Sequence, residues 1–201
     1  MKFSDSKYRQ VELTTPIGTF MWPRLNEPVP NKFSGDIQYE CSLSVPKDKA
    51  KQLVAQLTEL FEENLKLSAK DMKKPVKAAA KPWSDETDKD GNLTGNIIFR
   101  ARRRAKGVSK TTGKPWEYKV KLFDASGKPL VDKSVGGGST GRLVLQVRGY
   151  CIRGEAGISL ALQAAQVINC VAGKNSAKDF GFTPEVTDIP AEYDVGVVVE
   201  Q

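Results

Sequence analysis

Between residues 97 and 123 the chain carries nine Lys or Arg side chains, and Glu117 is the only carboxylate among them. They run through Ile97-Ile98-Phe99-Arg100-Ala101-Arg102-Arg103-Arg104-Ala105-Lys106-Gly107, then Val108-Ser109-Lys110-Thr111-Thr112-Gly113-Lys114-Pro115, then Trp116-Glu117-Tyr118-Lys119-Val120-Lys121-Leu122-Phe123. Guanidinium and ammonium groups neutralise phosphates, and aromatic rings offer faces on which bases stack. The combination suits a flexible polyanion with exposed bases. The alternative is a solvated hairpin whose charges keep an edge strand from pairing with other chains. Four arginines and two aromatics in one stretch favour binding.

Strands must position these groups. The ends of the stretch are apolar, and the middle is rich in Gly, Ser, Thr, Lys and Pro, which predicts a strand, a long mobile turn and a second strand. Successive side chains of a strand point to opposite sides. Ile98, Arg100, Arg102 and Arg104 therefore share one face. Trp116, Tyr118, Val120 and Leu122 share another, opposite Glu117, Lys119, Lys121 and Phe123. A slip of one residue would exchange Arg103 for its neighbours. The strand from Arg142 to Ile152 repeats the pattern, with Leu143, Leu145, Val147 and Cys151 on one face and Arg142, Gln146, Arg148 and Tyr150 on the other.

The other elements supply the frame. Residues 8 to 15, starting at Tyr8, and 17 to 22 read as strands broken at Pro16, followed by a loop holding Pro28 and Pro30. Phe20 fits core packing, whereas Trp22 beside Arg24 at a strand end fits stacking as well as core. Asp36 to Val45 alternates, with Ile37, Tyr39, Cys41, Leu43 and Val45 on one face. Ala50, Leu53, Val54, Leu57, Leu60, Phe61 and Leu67 recur at helical spacing and predict one helix from Lys47 to Ala69, packed on a sheet. Lys70 to Gly95 is polar, poor in β-branched residues and interrupted by prolines, which predicts a mobile, linker-like insertion. Its Asp85-to-Asn92 stretch lacks the closing Glu of a calcium loop and reads as a turn. The glycine-rich loop from Val135 to Gly141 lacks the lysine and spacing of a phosphate-binding loop and reads as a flexible connection. Ile158, Leu160, Leu162 and Ala164 alternate as a last strand, although the Ala and Leu content there also fits a helix.

The formal net charge is +7 and the pI about 9.2 over 201 residues, which favours an anionic partner. No apolar run is long enough to span a bilayer, and the first seven residues lack a secretion signal, so a cytoplasm is the expected compartment. Three widely spaced cysteines and no histidine argue against zinc and against a disulfide framework. No cofactor and no metal are expected. A nuclease would gather carboxylates for metal ions; Asp124 and Asp132 flank a turn near the basic stretch without a third at telling spacing. Residues 179 to 201 hold Asp179, Glu185, Asp188, Glu192, Asp194 and Glu200 with no Lys or Arg. Removing six negative charges from +7 leaves +13 on residues 1 to 178, so a basic domain precedes a mildly acidic segment. Val195, Val197 and Val199 alternate there, so that segment reads equally as a tail competing with a polyanion and as an edge strand.

A meander of strands with one helix predicts a mainly β, closed antiparallel sheet of about five or more strands, the oligonucleotide-binding (OB) barrel. Three segments, in this order, resemble the single-stranded-DNA-binding proteins of tailed bacteriophages. They are Gly18-Thr19-Phe20-Met21-Trp22-Pro23-Arg24-Leu25, the segment from Tyr39 to Val45 leading into a lysine-rich helix, and Tyr150 through Gly157 to Ile168. The resemblance implies an OB barrel that coats exposed single strands, without catalysis, in phage replication, recombination and repair inside the infected host. It also implies phage replication or recombination partners at the C-terminal segment, although this tail is more dilute in acid than the family pattern. RNA binding and metal-dependent cleavage of nucleic acid are the competing functions. The residues expected on DNA are Trp22, Arg24, Arg100, Arg102, Arg104, Trp116, Tyr118, Lys119, Lys121, Arg142, Arg148 and Tyr150.

Overall fold

The computed structural model of the chain describes residues 2–3, 9–32, 34–131 and 133–172. Tyr8, Asp132 and the segment 179–201 lie outside them.

Alternation builds the sheet. Tyr39, Cys41, Leu43 and Val45 are buried along β3 (Ile37–Pro46), as are Phe99 and Ala101 along β6 (Leu93–Arg104). Leu143, Leu145 and Val147 do the same along β10 (Thr140–Ile152), and Ile158, Leu160 and Leu162 along β11 (Glu155–Asn169). β3 lies antiparallel between β2 (Gly18–Pro30) and β6. β10 carries β11 along its whole length, β1 (Gln10–Thr14) over part of the opposite edge, and β2 at the Thr140 end. The helix α1 (Lys47–Met72) turns Ala50, Leu53, Leu57, Leu60 and Phe61 inward at three- and four-residue steps and packs on β10, β11, β3 and β6. It ends at Lys73, whose left-handed backbone (φ 50°) returns amide hydrogen bonds to the last turn.

Four expectations change. The sheet is mixed and is not closed into a barrel: β6 and β11 come near each other, but among the described residues no ladder joins them. The chain between Lys70 and Gly95, expected as a linker, adds β4 (Lys77–Ala78), parallel to β11, and β5 (Trp83–Thr87), antiparallel to β6. Trp83 is buried there, edge-on to Phe61 with ring centroids 6.4 Å apart. The expected loop at Pro28 and Pro30 is a continuation of β2, which reaches past Trp22 through register shifts. Finally, the strand expected from Trp116 to Phe123 is broken. β7 (Lys106–Val108) and β8 (Pro115–Glu117) form a separate two-stranded sheet, and β9 (Lys121–Phe123) pairs in parallel with β11. The Tyr118 amide donates to the Ala105 carbonyl at 2.6 Å, one step beyond the Lys106–Glu117 pair, and past it the chain leaves this small sheet to pair with β11.

A candidate single-strand interface

The β7–β8 hairpin, the distal end of β6 and the β10–β11 hairpin meet around a groove of about 600 Å³. Six cations line it: Lys81, Arg100, Arg102, Arg103, Arg104 and Arg148. Glu155 is the one carboxylate among the lining residues, and Trp116 and Tyr150 are the aromatic ones. Such a surplus of fixed positive charge in a concave site concentrates a polyanion.

Alternation on β6 delivers the arginines. Arg100, Arg102 and Arg104 point outward between buried Phe99, Ala101 and Ala105. Arg103 has the inward parity. It ends half-buried at the mouth of the sheet, with its guanidinium stacked on the Tyr118 ring 3.5 Å from the centroid. Arg100 donates to Ser84 Oγ at 3.1 Å, and Arg104 holds Asp36. The hydroxyl of Ser34 and the Arg104 guanidinium hold the Asp36 carboxyl below the usual carboxylate range. Arg148 is steadied from its own strand by the neutral Gln146, whose side-chain oxygen accepts from Nε at 2.8 Å.

Both rings rest on a glycine of the neighbouring strand. Trp116 pairs with Gly107, where an added Cβ would lie 2.8 Å from indole Cζ2. Tyr150 pairs with Gly157, where an added Cβ would lie 2.9 Å from the phenol oxygen. The missing side chain lets each ring lie across the ladder, and both rings line the groove. Beneath Tyr150 the buried Asn64 of α1 donates to the carbonyls of Tyr150 at 2.9 Å and Gly157 at 2.7 Å, and accepts from Arg9 at 3.1 Å.

Trp22 stands apart and out of the core. It sits at a bulge of β2 with φ 47° and is 70% exposed. A shallower cleft of about 380 Å³ joins it to Ser42, Glu40, Arg100 and Arg102, so two arginines belong to both concavities. On the other flank of Trp22, Arg24 and Lys133 line a further cleft of about 580 Å³.

The structure thus brings together Arg100, Arg102, Arg104, Trp116, Arg148 and Tyr150, with Trp22 and Arg24 adjoining. Four expected residues stand elsewhere. Lys119, Lys121 and Arg142 are exposed but do not line the groove. Tyr118 has one face under Arg103, and its hydroxyl donates to Gln163 (carbonyl 2.9 Å, Oε1 2.8 Å). Its role is to tie the hairpin to β11. Lys81 was missed because it lies in the supposed linker, and Arg103 because a strict two-residue period assigns it to the core side. Asp124, weighed as a metal ligand, caps its own turn by accepting from the amides of Ser126 and Lys128, each at 2.9 Å.

No protein-family model and no curated protein sequence matches the chain. Among solved structures the fold is shared with a single-stranded DNA binding protein, gp2.5, encoded by bacteriophage T7. The TM-score is 0.68 at 16% identity, over 95% of this chain and all of that one. It is also shared with the single-stranded DNA-binding protein of bacteriophage Enc34, solved in complex with single-stranded DNA. There the TM-score is 0.60 at 14% identity, over 80% of this chain and 87% of that one.

Proposed function

We propose that this protein binds single-stranded DNA, largely without regard to sequence and without cutting it, and protects it during phage DNA replication, recombination and repair. The observation that carries the proposal is the groove itself: six cations against one carboxylate, with two rings seated on glycines among its lining. Phosphates would run along Arg100, Arg102, Arg104 and Arg148, while bases stack on Tyr150 and Trp116. The arginines shared between clefts would lead the strand on to Trp22 and Arg24. The shared fold with two phage single-stranded-DNA-binding proteins supports this reading. Charge and stacking act on a strand of any sequence, so affinity would follow them rather than sequence. Residues 1–178 would form the binding unit. The acidic residues 179–201 would compete for its surface or recruit basic replication partners.

The test is competition among a labelled poly-deoxythymidine, the matching RNA and duplex DNA, in the presence of magnesium. Preferred retention of the intact single strand of DNA supports the reading. Preference for RNA, or shortening of the label, overturns it in favour of an RNA-binding protein or a nuclease. Affinity should also fall steeply with salt, by about 0.7 in log–log slope for each phosphate neutralised.

A further inference from the structure

Among the described residues, Arg103 Nη1 is the buried side-chain nitrogen that has no hydrogen-bond acceptor. Buried donors are nearly always paired, so an orphan on a guanidinium needs a reason. Its surroundings supply none that stabilises the empty protein. Arg103 follows and precedes other arginines on β6, pairs across the ladder with the buried Tyr39, and faces Arg148 across the groove. Burial and the like charge of Arg148 both disfavour its positive charge, and the Tyr118 ring alone favours it. The Arg103 guanidinium carbon lies over that ring, 3.5 Å from its centroid, and the ring is itself held by the Tyr118 hydroxyl on Gln163.

We propose that Arg103 and Arg148 form a fixed phosphate subsite of the groove, in which Tyr118 holds the Arg103 guanidinium ready and a phosphodiester oxygen completes it. The inference rests on the single-strand reading above and deepens it. The guanidinium reaches the groove, so an oxyanion arriving at its open edge supplies the missing acceptor after a small rotation of the group. The same anion screens Arg103 from Arg148. The stack on Tyr118 restricts the flat guanidinium before binding, which lowers the ordering cost of the contact; the flexible ammonium of a lysine would not be held in this way. The outward arginines differ: Arg100 and Arg104 each spend one exposed N–H on Ser84 and Asp36, while Arg103 holds a buried N–H with no acceptor.

The consequence is a residue that favours binding at the expense of folding. Replacing a buried unpaired charge by an apolar side chain of similar length removes a penalty, so Arg103→Met should leave the unfolding midpoint of the DNA-free protein unchanged or raise it. The same variant should bind a deoxythymidine oligonucleotide about tenfold more weakly. Its salt slope should be shallower by about 0.7, the step for one lost phosphate contact. Arg103→Lys should restore the slope while leaving affinity below the parent. Should Arg103→Met fail to fold, the Arg103 guanidinium resonances of the parent, followed by nuclear magnetic resonance during oligonucleotide titration, read the same contact. Parent-like affinity and slope in Arg103→Met, or guanidinium signals that do not move at saturation, would overturn the subsite while leaving single-strand binding intact. Absence of binding by the parent would instead overturn the reading on which it rests.

Discussion

Two hairpins wall the groove, and they use one device with different backing. In β10–β11 the ring of Tyr150 lies on Gly157, and in β7–β8 the ring of Trp116 lies on Gly107. The first hairpin continues two of the longest strands of the main sheet and is clamped from below by Asn64 and, through it, Arg9. The second is a sheet of two three-residue strands, tied to the body through Tyr118 and Ala105. Binding surface and core are thus the same object in one hairpin and nearly separate in the other. Damage to the first should be read in stability as well as affinity, and damage to the second in affinity alone.

The largest effect should come from the clamp. Asn64→Ala removes two hydrogen bonds from α1 to the β10–β11 hairpin and orphans an Arg9 donor at once, so chemical denaturation should show a loss of about 3 kcal/mol. A loss below about 1 kcal/mol would mean that α1 does not hold the β10–β11 hairpin, and the contrast would collapse.

Removing the rings comes next. Tyr150→Ala should weaken deoxythymidine binding by about 2–3 kcal/mol and Trp116→Ala by about 1–2 kcal/mol, the span typical of a base stacked on an aromatic ring. The ordering follows from backing, since a ring fixed by a buried network loses less freedom when a base arrives. If Trp116 proves the stronger, rigidity is not what ranks them.

The glycines separate the two hairpins most cleanly. Gly157→Val would drive its side chain into Ala79 Cβ, 2.7 Å from the ideal Cβ position, as well as into Tyr150. Overpacking at such a site costs about 1–3 kcal/mol of stability. Gly107→Val meets the indole of Trp116 first, a residue 40% exposed whose ring can swing outward. Its unfolding free energy should stay within about 0.5 kcal/mol of the parent. Its affinity should drop as far as that of Trp116→Ala. Equal stability losses in the two valine variants would show that both hairpins belong to the core.

How far this could be read from the sequence depends on whether the governing contact is local. The faces of β3, β6 and β10 follow from a two-residue alternation that neighbours impose on each other, so Arg100, Arg102, Arg104, Arg148 and Tyr150 were assigned to the outward side that they occupy. The helix follows from its 3.6-residue period and runs three residues past its expected end at Ala69. Trp116 was found by type, but the strand drawn through it was not there. The break lies where the chain leaves the β7–β8 ladder for a parallel pairing of Lys121–Phe123 with β11, a contact between distant segments that local propensity does not encode. Lys81 was invisible for the same reason, because β4 pairs Lys77 with Glu155 far along the chain. The open sheet had no local signature either: whether β6 and β11 join is decided by their separation in space, not by the alternation within each. Arg103 shows a subtler limit. Parity placed it toward the core, correctly, and parity gave no hint that a charged residue there stops half-buried on a tyrosine.

The smallest effect concerns charge at the hairpin roots. Arg148, at the base of the clamped hairpin, leans on the neutral Gln146 and offers its full charge to a ligand. Arg104, at the entry to β7–β8, is engaged by the Asp36 carboxylate, so a phosphate must compete for it. The Arg104–Asp36 bond is open to solvent, and such a pair is worth little in water. Asp36→Asn should therefore tighten binding by only about twofold to threefold at low salt, with the gain shrinking as salt rises. The sign with pH is fixed by the lowered Asp36 pKa. A depressed carboxyl contributes its pairing fully above the unfolded value of about 3.9 and loses it as pH falls through the folded one. The advantage of Asp36→Asn should accordingly be constant at every pH above about 5. The corresponding change beside Arg148, Gln146→Glu, should do the reverse, adding a competitor and weakening binding by a similar factor. A gain from Asp36→Asn that grows with salt, or no response to Gln146→Glu, would show that the two roots are not distinguished by their partners.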